Sequence, residues 1–132
     1  MPPPEPSRRD IGEALETIEA NGSVFDPASI ELRYLGLLTV ERLGAYDDLS
    51  SWLETERVPR ADLFEELRSF RGQAWAKRAM TWQDEGIPPV IVGRYPDEES
   101  GRETTAVVDG RGRVNYAFAS GEPLHVWELR VR

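Results

Sequence analysis

A short segment rich in glycine and arginine, Asp109–Arg113 (DGRGR), has the residue types needed to bind an anion. It lies between the apolar run Ala106–Val108 and the aromatic-containing run Val114–Phe118. Glycines allow the backbone to approach a ligand closely, and arginines donate charge-assisted hydrogen bonds to phosphate. The same sequence also suits a solvent-exposed turn, since Asp-Gly is common in turns. Its chemistry therefore depends on the element that follows it.

The segment after DGRGR has two interpretations. If Val114, Tyr116 and Phe118 share a strand face, the region is a β-hairpin with Asp-Gly in its turn. If Val114, Ala117 and Phe118 share a helix face, a short helix begins at Arg113 and ends before a glycine stop. The pattern alone does not separate the two, but the alanines and the glycine favour the helix.

In the helical interpretation, the backbone N–H groups at the helix start point into the loop and form an anion site. The candidate residues for binding phosphate or a nucleotide are Asp109, Gly110, Arg111, Gly112 and Arg113. Further basic residues could extend this site, or could simply balance the acidic residues of their own helix; they are Arg68, Arg71, Lys77 and Arg78. We favour the second role for them.

Other residues give weaker indications of chemistry. The single histidine, His125, has no Ser or Cys partner at a recognisable spacing, so we expect a structural role. The acidic stretches Asp47–Asp48 and Asp97–Ser100 are typical of solvated turns, and we predict no metal site. Trp75 and Trp82 lie seven residues apart on one helical face, which favours packing in the core.

The first part of the chain is predicted to be helical. Residues 1–7 contain four prolines and should form a flexible lead-in. Ser7 then caps a helix that ends at Asn21–Gly22, and Asp26 caps a second helical start. The run Ile30–Gly44 fits both helical and strand periods, and we interpret it as a helix.

The next predicted elements are a helix at Asp47–Glu54, closed by Val58–Pro59, and a long helix from about Arg60 to Asp84. Gly72 lies inside the predicted long helix and has a low helix propensity. The rest of the chain predicts short strands separated by polar or undecided segments. These strands are Val90–Val92, Thr104–Val108 and Leu124–Val131, and the stretch Arg94–Glu103 should be a surface loop. Helices followed by a small mixed sheet indicate the α+β class.

Composition limits the classes of function. The chain has 132 residues, no cysteine and a net charge of −8, which suits a single domain over residues 8–132 without disulfides. The negative field disfavours binding to duplex DNA. We find no apolar run long enough to span a membrane and no signal peptide, so a cytoplasmic location is expected.

Residues from about Arg60 to Arg132 resemble the central part of the ParB/sulfiredoxin-like superfamily. Members typically show a helix ending in glycine, a proline-containing strand, and a strand leading into Asp-Gly-x-x-Arg and a short alanine-rich helix. The matching positions are Gly86, Pro88, Pro89, Asp109, Gly110, Arg113, Ala117, Gly121 and the strand around Val126. Residues 8–59, the predicted helical part, match no family that we can name.

The resemblance implies that Gly110, Arg113 and, by position, Asp109 hold nucleotide phosphates, with or without Mg²⁺, and that Arg111 contacts phosphate. Sulfiredoxin activity is excluded because it needs a cysteine in this loop. DNA-partitioning members carry a helix-turn-helix domain after this fold, and the chain stops at Arg132, so we do not expect that role. Glu85, Glu103 and Asp109 are carboxylates that a catalytic member could use, but their spacing singles out none.

The sequence therefore predicts a nucleotide- or phosphate-binding domain, and leaves open whether the ligand is hydrolysed or its phosphoryl group is transferred. The alternative is a non-catalytic acidic module of the immunity or antitoxin kind that binds a basic protein partner. In that case DGRGR is only a turn.

Overall fold

The structure, a computed structural model, describes residues 2–49 and 62–132 of the chain. These residues form helices and strands, and a 3₁₀ turn lies at Pro27–Ser29. The elements are α1 (Arg8–Ala20), β1 (Glu31–Leu38), α2 (Val40–Leu43), α3 (Leu63–Arg71), α4 (Gln73–Glu85), β2 (Val90–Pro96), β3 (Glu103–Asp109), α5 (Arg111–Ser120) and β4 (Leu124–Arg130).

Within the described residues, the four strands form one mixed sheet in the order β1-β4-β2-β3. The strand β4 runs antiparallel to β1 and parallel to β2, and β2 runs antiparallel to β3. The parallel pair is connected through β3 and α5, as a crossover connection requires. The predicted α+β class and the mixed sheet are confirmed.

The first helix forms as the sequence predicts and covers one face of the sheet. The Ser7 hydroxyl accepts a hydrogen bond from the Asp10 N–H, which caps α1. Ala14 and Ile18, four residues apart on one helix face, are fully buried and cluster with Ile91 of β2. This packing brings the N-terminal turns of α1 close to the end of β3.

The segment 31–38 is a strand, so the helix predicted for Ile30–Gly44 is wrong over most of its length. Only Val40–Leu43 is helical, capped by the Thr39 hydroxyl. The pairing of Glu31 with Arg130 in β4 shows the reason: the partner lies far along the chain. The spacing of apolar residues within the segment 31–38 cannot reveal this pairing. The predicted helical part 8–59 therefore contains a sheet strand.

The predicted long helix is two helices, because the chain turns at Gly72, where φ is 88°. Glycine adopts this positive φ without steric cost. Leu67 of α3 and Trp75 and Trp82 of α4 are buried in one cluster, which confirms the core role of the two tryptophans. Most of the helix predicted at Asp47–Glu54 and its Val58–Pro59 end lie outside the described residues.

The segment after DGRGR is helical, which confirms the helical interpretation, but α5 begins at Arg111, two residues before the predicted start at Arg113, because Gly110 alone makes the turn from β3. It ends at Gly121, where φ is 76° and the N–H bonds to the Ala117 carbonyl. The predicted strands are also present, although β2 continues to Pro96 and shortens the predicted loop at its start. The reason is pairing with β3, which holds Arg94 opposite Thr105 and Pro96 opposite Glu103.

Both faces of the sheet are covered. Val90 and Val92 pack in a cluster with Val114 of α5, and Ile91 points to the α1 side. The predicted flexible lead-in lies outside helices and strands, and its Pro4 carbonyl accepts a hydrogen bond of 2.9 Å from Trp127 Nε1. None of the helices in the two described ranges has the length and apolar character needed to cross a bilayer.

Candidate functional site

The DGRGR segment joins β3 directly to α5 through one glycine. Gly110 is the N-cap residue of α5, and its φ of 97° is a left-handed conformation. A Cβ atom at this position would lie 2.7 Å from Cγ1 of Val90, which is closer than packing allows. Glycine is therefore required here for two independent reasons, backbone conformation and close approach to β2. This turn fixes where the helix N-terminus points.

Gly110, the N-cap residue of α5, has no side chain that could cap the helix. The first N–H groups of a helix have no partners within it, and they carry the positive end of the helix dipole. The Gly112 carbonyl accepts a hydrogen bond of 2.9 Å from Trp75 Nε1, so α4 is packed against this turn. A Cβ atom on Gly112 would approach Trp75 Cδ1 to 3.1 Å. The buried indole thus holds the loop in place.

Four arginines from three helices line the cleft at this turn: Arg71 of α3, Arg78 of α4, and Arg111 and Arg113 of α5. Arg71 Nε donates to Oδ1 of the fully buried Asn115 at 2.7 Å, which fixes the guanidinium. Burial lowers the pKa of Arg71, and the positive charges of Arg111 and Arg78 lower it further. The like charges are therefore close enough to repel one another.

Arg113, which the resemblance makes one of the phosphate ligands, faces carboxylates. Its Nη1 lies 3.1 Å from Asp10 Oδ2 and 3.5 Å from Asp109 Oδ2, and donates to the Pro89 carbonyl at 2.7 Å. Its Nη2 donates to Asp10 Oδ1 at 3.4 Å. The side chain is only 18% exposed. This guanidinium joins α5 to α1 and β2 at the edge of the cleft.

Among the groups of the cleft, Asp109 has the pKa that differs most from its ordinary value. Burial raises the pKa of its carboxyl group, and the negative charge of Asp10 raises it further. Arg113 opposes this effect, and Glu13 adds to it, so that the pKa is about 7. The group therefore changes charge near neutral pH.

The opposite wall of the cleft comes from α1. Glu13 and Thr17 of α1 and its C-cap residue Asn21 follow one another at intervals of four residues and line the same space as the four arginines. One oxygen from each of Asp10, Glu13 and Asp109 lies within 4.8 Å of the others. The volume of the cleft is about 570 Å³, within the range of small-molecule sites. One wall is thus cationic and the other carries carboxylates.

The structure separates the other candidate residues from this cleft. Glu103 bridges Arg94 and Arg130 at 3.0 and 2.9 Å, and Glu85 lines a different surface hollow. His125 Nδ1 lies 2.8 Å from the Tyr34 hydroxyl, which is a structural contact.

Of the basic residues on α3 and α4, Arg71 and Arg78 reach the cleft, whereas Arg68 pairs with Glu65 at 3.8 Å. Sequence reasoning missed the contribution of Asp10 and Glu13. No local pattern distinguishes these two residues as part of a site. Acidic residues are common in the first turns of helices because the positive end of the helix dipole stabilises them.

Comparisons of the chain with family models, with curated proteins and with solved structures found no match. The resemblance to the ParB/sulfiredoxin-like superfamily therefore remains a prediction from the sequence.

Proposed function

We propose that the cleft at the start of α5 binds the phosphate group of a small ligand, such as a nucleotide. One observation carries the proposal: Arg71, Arg78 and Arg111 line a cleft at a helix N-terminus whose N-cap residue is the glycine Gly110. Guanidinium groups and helix N–H groups are the donors that most often bind phosphate in proteins.

The electrostatics of the cleft support an anionic ligand. Bringing like charges together is unfavourable: burial is the main cause of the lowered pKa of Arg71, and the charges of Arg111 and Arg78 lower it further. An anion between them removes this repulsion and gains charge-assisted hydrogen bonds. A fixed arginine is also better prepared for binding, and Asn115 holds Arg71 at 2.7 Å.

The ligand should be small. The chain carries a net charge of −8, so its field repels a long polyanion such as duplex DNA. A local cluster of arginines can still hold one or a few phosphate groups, because screening limits the field of distant charges to about 10 Å. The cleft volume of about 570 Å³ also fits a ligand of mononucleotide size.

In this proposal the residues of DGRGR have different roles. The glycines shape the turn, Arg111 contacts the anion, and the N–H groups of the first helical turn donate to it. Arg113 is a positioning residue, held by Asp10 and Asp109. A direct contact between Arg113 and phosphate, which the ParB/sulfiredoxin-like resemblance implies, remains a prediction, as do hydrolysis, phosphoryl transfer and the use of Mg²⁺.

The test is thermal unfolding of the protein with inorganic phosphate and with nucleoside mono-, di- and triphosphates, each with and without Mg²⁺. A ligand at about 100 times its Kd should stabilise the fold by about 2.7 kcal/mol. The shift should disappear in Arg111→Ala, whose side chain is exposed. The matched control is Arg102→Ala, an exposed arginine in the β2–β3 loop.

A shift that survives in Arg111→Ala, or one that disappears equally in Arg102→Ala, would contradict the proposed site. The absence of any shift across the panel would contradict the proposed function and would favour the acidic protein-binding alternative. That alternative predicts binding to a basic protein that weakens as salt is added.

A further inference from the structure

The proposed phosphate cleft contains carboxylates as well as arginines. Glu13 and Asp109 line the same space as Arg71 and Arg111. An anion bound by the arginines therefore lies beside groups that repel it when they are ionised. The charge state of these carboxylates must affect binding.

The charges around Asp109 do not balance when every acid is ionised. Asp10, Glu13 and Asp109 have oxygens within 4.8 Å of one another, and their cations are Arg113 and Arg9. Three carboxylates thus share only two cations in direct ion pairs among the described residues, and Arg9 is 87% exposed, where solvent screens its pair with Glu13. One proton on the cluster removes the excess negative charge.

Asp109 is the member best placed to take that proton. It is only 8% exposed, and its one contact with Arg113 is 3.5 Å long, whereas Asp10 receives two hydrogen bonds from the same guanidinium at 3.1 and 3.4 Å. The charged groups that act on it come from α1 (Asp10 and Glu13) and from α5 (Arg113). The residue that pairs with Asp109 on the neighbouring strand β2 is the uncharged Ile91. Burial and the two carboxylates give it a pKa of about 7.

We propose that binding of a phosphate group in this cleft is coupled to the uptake of one proton by the Asp109 carboxylate. The inference rests on the proposed function. A bound anion favours the neutral form of Asp109, and by reciprocity the neutral form binds the anion more tightly. Affinity is then greatest below neutral pH and falls as the pH rises, approaching tenfold per unit once free Asp109 is mostly ionised.

The experiment measures the Kd of inorganic phosphate at pH 7.5 and 8.5 by calorimetry, for the wild type, Asp109→Asn and Glu16→Gln. Asn has the shape of the neutral acid and cannot ionise. Glu16 is an exposed carboxylate on α1 and controls for the loss of one negative charge. The titration of phosphate itself is the same for all three proteins.

We expect the wild-type Kd to rise about five- to tenfold between the two pH values, relative to Asp109→Asn. The Asp109→Asn variant should bind more tightly than the wild type at pH 8.5, and Glu16→Gln should follow the wild type. Equal pH dependence in wild type and Asp109→Asn would overturn the inference while leaving the proposed function intact. The absence of phosphate binding in every protein would contradict the proposed function itself.

A second measurement serves if Asp109→Asn does not fold. The carboxyl carbon of Asp109 in the wild type is titrated by NMR with and without inorganic phosphate. Its pKa should rise when phosphate is present. An unchanged pKa at a phosphate concentration that shifts the amides of Gly110–Arg113 would overturn the inference, whereas no amide shift would contradict the proposed function.

Discussion

The guanidinium of Arg113 lies 3.1 Å from the carboxylate of Asp10, although 103 residues separate them in the sequence. Asp10 is in the first turn of α1, and Arg113 is in the first turn of α5. The contact joins the two helix starts on either side of β3. It places the acidic wall of the cleft beside the loop that we propose binds phosphate.

Replacing Arg113 by Ala should destabilise the fold substantially. The change leaves Asp10 and Asp109 close together without their shared cation, and breaking a largely buried pair costs about 3 kcal/mol. The free energy of unfolding is measured in urea. The matched control is Arg9→Ala, which removes the exposed Arg9–Glu13 pair and should cost less than about 1 kcal/mol. Similar losses in the two variants would contradict the structural role of Arg113.

The ionisation of Asp109 should contribute to the pH dependence of the free energy of unfolding. Its pKa is about 7 in the folded state against 3.8 as the ordinary value, so the folded state binds its proton more tightly. This group therefore lowers the free energy of unfolding progressively as the pH rises from about 4 to about 7, and the loss is complete above that range.

The variant Asp109→Asn cannot ionise at this position, so it lacks this pH-dependent contribution to the free energy of unfolding. Its stability relative to the wild type should increase with pH and level off near pH 8, which unfolding in urea at pH 5, 6, 7 and 8 would measure. A difference that does not change with pH would show that Asp109 titrates normally in the folded protein.

Gly110 should tolerate no side chain. Alanine there must adopt a φ of 97° and place its Cβ 2.7 Å from Val90 Cγ1. The left-handed conformation alone costs about 1–2 kcal/mol. The control is Gly12→Ala within α1, where a Cβ meets nothing within 4 Å and should stabilise the helix by about 0.5–1 kcal/mol. Thermal unfolding distinguishes the two, and a neutral Gly110→Ala would contradict the described turn.

Asn115 should matter for binding through Arg71. Replacing it by Ala removes the acceptor 2.7 Å from Arg71 Nε, so the guanidinium loses its fixed position. We expect a loss of about 1–3 kcal/mol in stability, together with weaker binding of inorganic phosphate. Calorimetry on the folded variant measures the second effect. If stability falls while phosphate affinity is unchanged, Arg71 is not a ligand of the anion.

The local elements near the site could be predicted from sequence because their signals are short-range. Ser7 caps α1 as expected, and the alanines and Gly121 favour the helix that α5 forms. The strand β1 could not be predicted in the same way. Its apolar residues fit both the helical and the strand period. Its pairing with β4, about 90 residues later, determines that it forms a strand.

The candidate site was predictable only in part for the same reason. The sequence predicts Asp109–Arg113 as a candidate anion-binding segment, but it does not show that Arg113 pairs with Asp10 or that Arg71 and Arg78 line the same cleft. Those orientations follow from how the helices pack on the sheet. The raised pKa of Asp109 likewise depends on the approach of α1.

The most direct test of phosphate binding at the start of α5 is an amide NMR titration of the ¹⁵N-labelled protein with inorganic phosphate and with the nucleotide that stabilises it most. We expect the largest shifts at the amides of Gly110–Arg113, and we expect Arg111→Ala to remove them. Saturable shifts confined to another surface, or no saturable shifts at any concentration, would contradict it.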